Sequence, residues 1–210
     1  MIPTDPLQQA IQVHQSGQVI QARELYRALL ADNPQHAGAH HFLGMLEHQA
    51  GQDPQAALEH LQTAVNLDPG QGFYRINYAN LLKDLRRPED SERAYLRAAA
   101  LQPNDPVAHY NLGHLYQLWS RIPDALACFA RATDCDADFL PAWNKQAAMH
   151  LRLNQLPEAE AASRRALAIR EDDPAGWFHL ADCLARQKDW AGSRQALEKT
   201  LTLQPRFPEA

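Results

Sequence analysis

His109-Tyr110-Asn111-Leu112-Gly113, followed by Tyr116 and then by Ala125, Phe129 and Ala132, is the stretch whose reading decides the fold. By itself it describes an amphipathic helical hairpin, with small and apolar residues returning at helical spacing. Against the rest of the chain it is one copy in a series. The slot of Gly113 recurs as Ala10, Gly44, Ala79, Gly113, Ala147 and Ala181, spaced 34, 35, 34, 34 and 34. A second small residue recurs as Ala22, Ala57, Ser91, Ala125, Ala159 and Ser193, spaced 35, 34, 34, 34 and 34. Pro34, Pro69, Pro103 and Pro205 fall on the same grid, with Ala137 and Glu171 in the two remaining slots. Three marker series in one register identify an internal repeat, and a period of this length signals stacked supersecondary units. The single extra residue lies between Gly44 and Ala57, in the turn Gly51-Gln52-Asp53-Pro54.

The repeats run 3–36, 37–71, 72–105, 106–139, 140–173 and 174–207, one array over residues 1–210, with 208–210 beginning a possible seventh. Each reads as two helices, A and B. The first helix A starts near Pro6, capped by Thr4 or Asp5, with proline in the first turn where its missing N–H costs nothing. Gly17 breaks it, helix B carries Ala22, Leu25, Tyr26, Leu29 and Leu30, and Pro34 stops helix B. Pro88 and Pro123 open later B helices in the same way. Small residues at the two fixed slots let A and B approach closely. Tyr95, Phe129, Trp143 and Trp177 are expected to fill the space between neighbouring hairpins, whereas Trp119 and Trp190, near turns, are expected to be partly exposed. One hairpin cannot bury its apolar face, so the units must stack, which makes the chain all-α.

Composition excludes several function classes. The net charge is −5 with both signs interspersed, 8 Lys/Arg against 12 Asp/Glu in residues 1–105 and 12 against 13 in 106–210. There is no basic stripe for nucleic acid. No apolar run approaches the roughly 18–20 residues of a membrane span, and the amino terminus lacks a secretion signal. Cys128, Cys135 and Cys183 are an odd set without metal-ligand spacing and read as reduced thiols of a cytoplasmic protein. No phosphate loop, nucleophile elbow, His-Glu-x-x-His or Cys-x-x-Cys motif is present, so no enzyme chemistry, cofactor or metal is expected within these residues. His36, His40, His41, His48 and His60 cluster in the second repeat, and His36 and His40 have zinc-compatible i, i+4 spacing. No Cys or carboxylate completes that site, so the histidines read as solvated or groove-lining. Asp134-Cys135-Asp136-Ala137-Asp138 lacks the glycine and glutamate of a calcium loop and reads as a solvated turn with a helix cap.

The pattern resembles the tetratricopeptide repeat, a 34-residue helix–turn–helix with large, Leu-Gly/Ala, Tyr, Ala, Phe/Tyr, Ala and Pro slots. His109, Leu112-Gly113, Tyr116, Ala125, Phe129 and Ala132 carry the likeness in the best unit, and Trp177, Leu180-Ala181, Leu184, Leu197 and Pro205 in the last. The resemblance implies a right-handed α-solenoid of about six units whose A helices line a concave groove. It also implies a non-catalytic scaffold that binds a protein or extended peptide there.

The resemblance implies that the groove-facing slots are Gln8, Ile11, His14 and Gln15 in the first repeat, and His41, Phe42, Met45, His48 and Gln49 in the second. The third offers Phe73, Ile76, Asn77, Asn80, Lys83 and Asp84, and the fourth Tyr110, Asn111, His114 and Gln117. The fifth offers Asn144, Lys145, Leu151 and Arg152, and the sixth Phe178, His179, Asp182 and Arg186. Amides donate and accept, which suits a peptide backbone, although the same groups can bridge neighbouring helices. Lys145, Arg152 and Arg186 are expected to favour acidic ligands. A two-carboxylate clamp matches only at Asn80, Asn111 and Lys145, since Ile76 and Pro141 replace its other cations.

A narrower resemblance is to the arms of O-linked N-acetylglucosamine transferases, where an asparagine ladder grips peptide backbones. The equivalent slots hold Gln8, Phe42, Asn77, Asn111, Lys145 and His179, a partial ladder. This implies the alternative of an N-terminal substrate-recognition arm of a larger transferase. Phe207-Pro208-Glu209-Ala210 looks like the approach to another A helix, much as Phe139-Leu140-Pro141-Ala142 precedes the fifth, and no polar capping helix follows, so the N-terminal piece of a longer protein is expected; the alternative is a natural end whose uncapped last helix self-associates in a dimer.

Overall fold

Proline and carboxylate punctuation sets where each helix begins. The computed structural model describes residues 5–51 and 53–207. Among these are twelve helices and no strand. Residues 1–103 form one unit: α1 (Pro6–Gln15), α2 (Val19–Asp32), α3 (Ala37–Ala50), α4 (Pro54–Leu67), α5 (Gly72–Asp84) and α6 (Pro88–Leu101). Residues 104–210 form a second: α7 (Pro106–Leu118), α8 (Ile122–Cys135), α9 (Leu140–Arg152), α10 (Leu156–Ile169), α11 (Pro174–Arg186) and α12 (Trp190–Leu203). Asp5 caps α1 by accepting from Leu7 N at 3.1 Å, with Pro6 in the first turn. Asp53, Asp105 and Asp173 cap α4, α7 and α11, each directly before a proline. Thr4, the other expected cap, and residues 208–210, where the seventh helix A was expected to begin, lie outside the described residues.

Within each unit the helices pair as hairpins and the hairpins stack in chain order. In the first unit α3 packs on α4 and also touches both α1 and α5. In the second α9 packs on α10 and touches α11. The result in each is an all-α solenoid layout with the odd-numbered helices side by side. The close approach of paired helices explains the small slots. Ala10, Ala22, Ala57, Ala79, Ala125, Ala147 and Ala159 are fully buried. Where the second slot is serine, its hydroxyl reaches the facing helix: Ser91 Oγ donates to Ala79 O at 2.8 Å and Ser193 Oγ to Ala181 O at 2.9 Å. A Cβ on Gly113 would stand 2.7 Å from the Phe129 ring, so glycine permits that contact.

Each hairpin turns on the same backbone device. Gly17, Gly51, Arg86, Ser120, Asn154 and Lys188, one per repeat, are left-handed, with φ between 55° and 80°. At Arg86 the turn closes with Arg86 N–H to Lys83 O at 3.0 Å and Arg87 N–H to Leu82 O at 2.8 Å, the paired bonds of a Schellman cap. Only the first two repeats place glycine there, which is why this slot escapes a reading based on side-chain type.

Tyr26, Tyr95 and Phe129 are fully buried, filling the slots expected of them. Trp143 and Trp177 differ from expectation. Each is only partly buried, with its indole N–H donating to a turn carbonyl: Trp143 to Ala137 O at 2.9 Å and Trp177 to Glu171 O at 2.7 Å. An indole has a donor that a dry core would orphan, so the ring lies where its N–H can reach the turn. Trp190 is 67% exposed and Trp119 partly so, as expected.

Candidate functional site

In the first unit α1, α3 and α5 enclose a concave pocket of about 310 Å³. Ile11, Phe42 and Met45 supply its apolar wall, and His14, Gln15, His41, Gln49 and Asn77 its polar groups. None of these carries a fixed charge. Phe42 is held by a ring stack on buried Tyr26, with centroids 6.1 Å apart and planes at 13°. His14 is fixed at both nitrogens: Nε2 lies 3.2 Å from Gln49 Oε1 and so donates, leaving Nδ1, 3.3 Å from the Tyr26 hydroxyl, to accept.

His41 lies at the back of this pocket, 2% exposed, stacked on Tyr74 at 4.4 Å and edge-on to Phe42 and Phe73. Its Nε2 is 3.3 Å from Asn77 Nδ2, and its Nδ1 is buried without a partner. With the amide donating, Nε2 accepts and the ring proton sits on Nδ1. Burial pushes the imidazole pKa down to about 4, so the ring is neutral at ordinary pH. Asn77 thus ties α5 to α3 at the pocket edge. Asn80 points to its own hairpin instead, where its amide oxygen accepts from the Tyr95 hydroxyl. Lys83 and His48 both approach Asp84, at 3.8 Å and 3.0 Å.

The second unit is polar and partly charged. Tyr110 on α7 is a wall residue, its ring tilted on Phe129 at 5.7 Å and edge-on to Phe139 at 5.5 Å. Phe178, two repeats on, meets Phe207 at 5.1 Å, two repeats on from Phe139. In the repeat between them the same pair of slots holds a hydrogen bond, Asn144 Nδ2 to Asp173 Oδ2 at 2.7 Å. Asp173 is 3% exposed and fully engaged: it also accepts from Gly176 N at 2.8 Å and from Arg170 at 2.7 Å. Sequence reasoning passed over Asp173, although an aspartate directly before the proline that opens a helix is a cap signature.

Asn111 and Lys145 are half-buried, and neither has a hydrogen-bond or ion-pair partner among the described residues. Burial lowers the Lys145 pKa. His179 is lowered to about 4, chiefly by burial and with help from Lys145, against the pull of Asp173 and Asp182; its Nδ1 is buried and unpartnered. Arg186 is not a free cation, since it forks onto Asp182 at 2.8 and 2.9 Å and donates to Leu151 O at 2.7 Å. Arg152 is exposed and His114 half-buried. The histidines of the second repeat separate: His36 caps α3 by accepting from Ala39 N at 3.3 Å, while His40 turns to His60. No helix among the described residues is long and apolar enough to cross a membrane.

The architecture has close counterparts. A Pseudomonas aeruginosa structure, of pilF, superposes with a TM-score of 0.84 at 18% identity, covering 97% of this chain and 92% of that one. YrrB, whose structure is described as that of a TPR protein with an unusual peptide-binding site, gives 0.67 at 14% identity over 86% and 93%. At these identities the likeness is one of fold. The Caenorhabditis elegans tetratricopeptide repeat-containing protein trd-1 is 23% identical over 193 residues, 91% of this chain but 24% of its own length. Human protein O-mannosyl-transferase TMTC3 is 24% identical over 140 residues, 60% of this chain and 15% of that protein. The chain therefore spans a quarter or less of these relatives. Tetratricopeptide repeat models match residues 15–72, 94–127, 120–174 and 144–208. With the matched segments covering most of the sequence and the hairpins built as their residues dictate, the chain belongs to the tetratricopeptide repeat family.

Proposed function

We propose that this chain is a non-catalytic scaffold that binds a protein or extended peptide on the faces formed by its odd-numbered helices. The observation that carries the reading is the uncharged pocket of α1, α3 and α5. Ile11, Phe42 and Met45 receive an apolar side chain, and the Asn77 amide holds the backbone beside it. In the second unit Asn111, His114, Asn144, Lys145 and His179, with Arg152 and Arg186 at the margin, form a separate face that favours acidic residues. Lys145 is the group on which that preference rests, because its charge lacks an internal partner. Family membership and the peptide-binding site named for YrrB support the reading. The three free thiols agree with a cytoplasmic setting. The exposed Trp190, Leu201 and Leu203 of α12 suggest self-association there, for which sedimentation at two concentrations is the test.

Selection from a displayed random-peptide library tests the function. Peptides recovered on the intact chain should carry an apolar residue, and Phe42→Ala with Asn77→Ala should weaken them. Each lost amide contact is worth about 0.5–1.5 kcal/mol, or roughly twofold to tenfold in affinity. Unchanged binding by a folded double variant would remove the first-unit face from the proposal. Asn111→Ala with Lys145→Ala examines the second in the same way.

A second reading, an N-terminal substrate-recognition arm of a larger transferase resembling O-linked N-acetylglucosamine transferase, draws support from the partial asparagine ladder and the likeness to TMTC3. The reading frame after Ala210 decides it: a stop codon there rules out the arm, and a downstream transferase domain supports it.

A further inference from the structure

His40 on α3 and His60 on α4 face each other across the second hairpin, with Nδ1 to Nδ1 at 2.9 Å and ring centroids 5.1 Å apart. His40 Nε2 lies 3.0 Å from the Pro34 carbonyl and must donate to it, so the His40 lone pair is on Nδ1 and points at His60. A ring N–H anchored on a backbone carbonyl, with a lone pair on the other nitrogen, is the arrangement that orients metal-ligating histidines. The charge of Glu47, whose side chain is 9% exposed, reaches His60. Its Oε1 is 3.5 Å from Arg27, but its Oε2 is buried with no partner. A carboxylate oxygen buried without a donor is costly, and a cation held within its field offsets part of that cost.

We propose that His40 and His60 form a two-histidine site for a divalent transition-metal ion of the copper or nickel class. Two imidazole nitrogens bound about 2.0 Å from an ion at right angles are about 2.8 Å apart, whereas tetrahedral zinc sets them about 3.3 Å apart. The hydrogen-bonded 2.9 Å of the ion-free rings lies near both spans, and the choice of copper or nickel rests on the affinity of these ions for imidazole nitrogen. The ion sits off the line joining the two nitrogens, so each ring turns about its terminal torsion, which is a soft one. In the free protein His60 Nδ1–H donates to His40 Nδ1. On binding, His60 moves its proton to Nε2, both Nδ1 lone pairs face the ion, and two neutral imidazoles coordinate without net proton release.

No group of three or more His, Cys, Asp or Glu among the described residues is gathered to hold a metal, so water completes the coordination sphere. Both rings are partly exposed, which gives the ion and its waters access. The charges that reach His60 are Glu47 and Glu59, which favour a cation, and Arg27, which opposes one.

Calorimetric titration of the whole chain with Cu2+ and with Ni2+ tests the site. Wild type should take one equivalent more tightly than any other binding to its 10 histidines. His40→Gln or His60→Gln should lose at least about tenfold in affinity, since even outer-shell changes cost that much. Glu47→Gln should weaken binding less, and His36→Gln not at all. Equal binding by wild type and the His40→Gln, His60→Gln double variant would overturn the proposal. Wild type alone gives an independent answer: substoichiometric Cu2+ should broaden the ring resonances of His40 and His60 before those of other histidines. Broadening that begins elsewhere would also overturn it.

Discussion

Gly113 and Phe129 make a prediction whose sign depends on context. Glycine inside a helix costs about 1 kcal/mol relative to alanine, so Gly113→Ala on an open surface would stabilise. Here the new Cβ would stand 2.7 and 2.9 Å from two Phe129 ring carbons, where ordinary contact is about 3.5–4.0 Å. The ring is fully buried and cannot withdraw. Overpacking of this kind costs about 1–3 kcal/mol, so the substitution should be neutral to destabilising by about 2 kcal/mol. In a Phe129→Leu background the nearer of the two carbons, Cε1, is gone, and the pair becomes that of Ala181 and Leu197 in the last repeat. There Gly113→Ala should stabilise by up to about 1 kcal/mol, a coupling of roughly 1–3 kcal/mol around the cycle. Stacked repeats do not unfold strictly as one unit, so amide exchange of α7 and α8 is the readout, beside denaturant midpoints. The same effect of Gly113→Ala in both backgrounds would refute the packing argument.

Acid should loosen the first unit between pH 6.5 and 4. The His41 pKa is lowered from 6.5 to about 4 by burial, so the unfolded state takes up the proton first and stability falls as pH drops through this window. One such group contributes about 3 kcal/mol at full effect, and a chain with His41→Gln should show a flatter stability profile from pH 6.5 to 4. Asp173→Ala removes a helix cap and orphans the Asn144 amide, so it should cost about 2–3 kcal/mol and accelerate amide exchange at the start of α11; slow exchange there would count against the shared-carboxylate reading. Lys188→Gly, placed at φ 68°, should raise the melting midpoint because glycine adopts that conformation without the roughly 1–2 kcal/mol strain of a side chain. A lowered midpoint would show that the strain is absent.

The repeat register carried most of the architecture because packing slots are written in residue size: Ala10, Gly44, Ala79, Gly113, Ala147 and Ala181 mark where two helices touch. Phe42, Met45, His14 and Asn77 could be placed on one side of their helices by the same register. What could not be read was how the polar groups are spent. Asn80 bonds to Tyr95 and Arg186 to Asp182 and Leu151 O, whereas Lys145 and Asn111 keep their groups free. Tyr95 and Leu151 lie on other helices and depend on rotamers rather than on spacing, whereas Asp182 stands four residues before Arg186 on the same helix, a pairing that spacing does show. The same holds for histidine. Spacing pairs His36 with His40, but the first ring caps its own helix and the second meets His60, 20 residues away.

The uncharged first-unit pocket is the central claim, and the chain carries a reporter inside it. Of its three methionines, Met45 lines that pocket and Met149 is buried in the second unit. With methyl-labelled methionine, a library-selected peptide bearing an apolar residue should shift the Met45 methyl signal and leave Met149 in place, and Phe42→Ala should abolish the shift. A peptide that binds the chain while the Met45 signal stays unmoved would contradict the account.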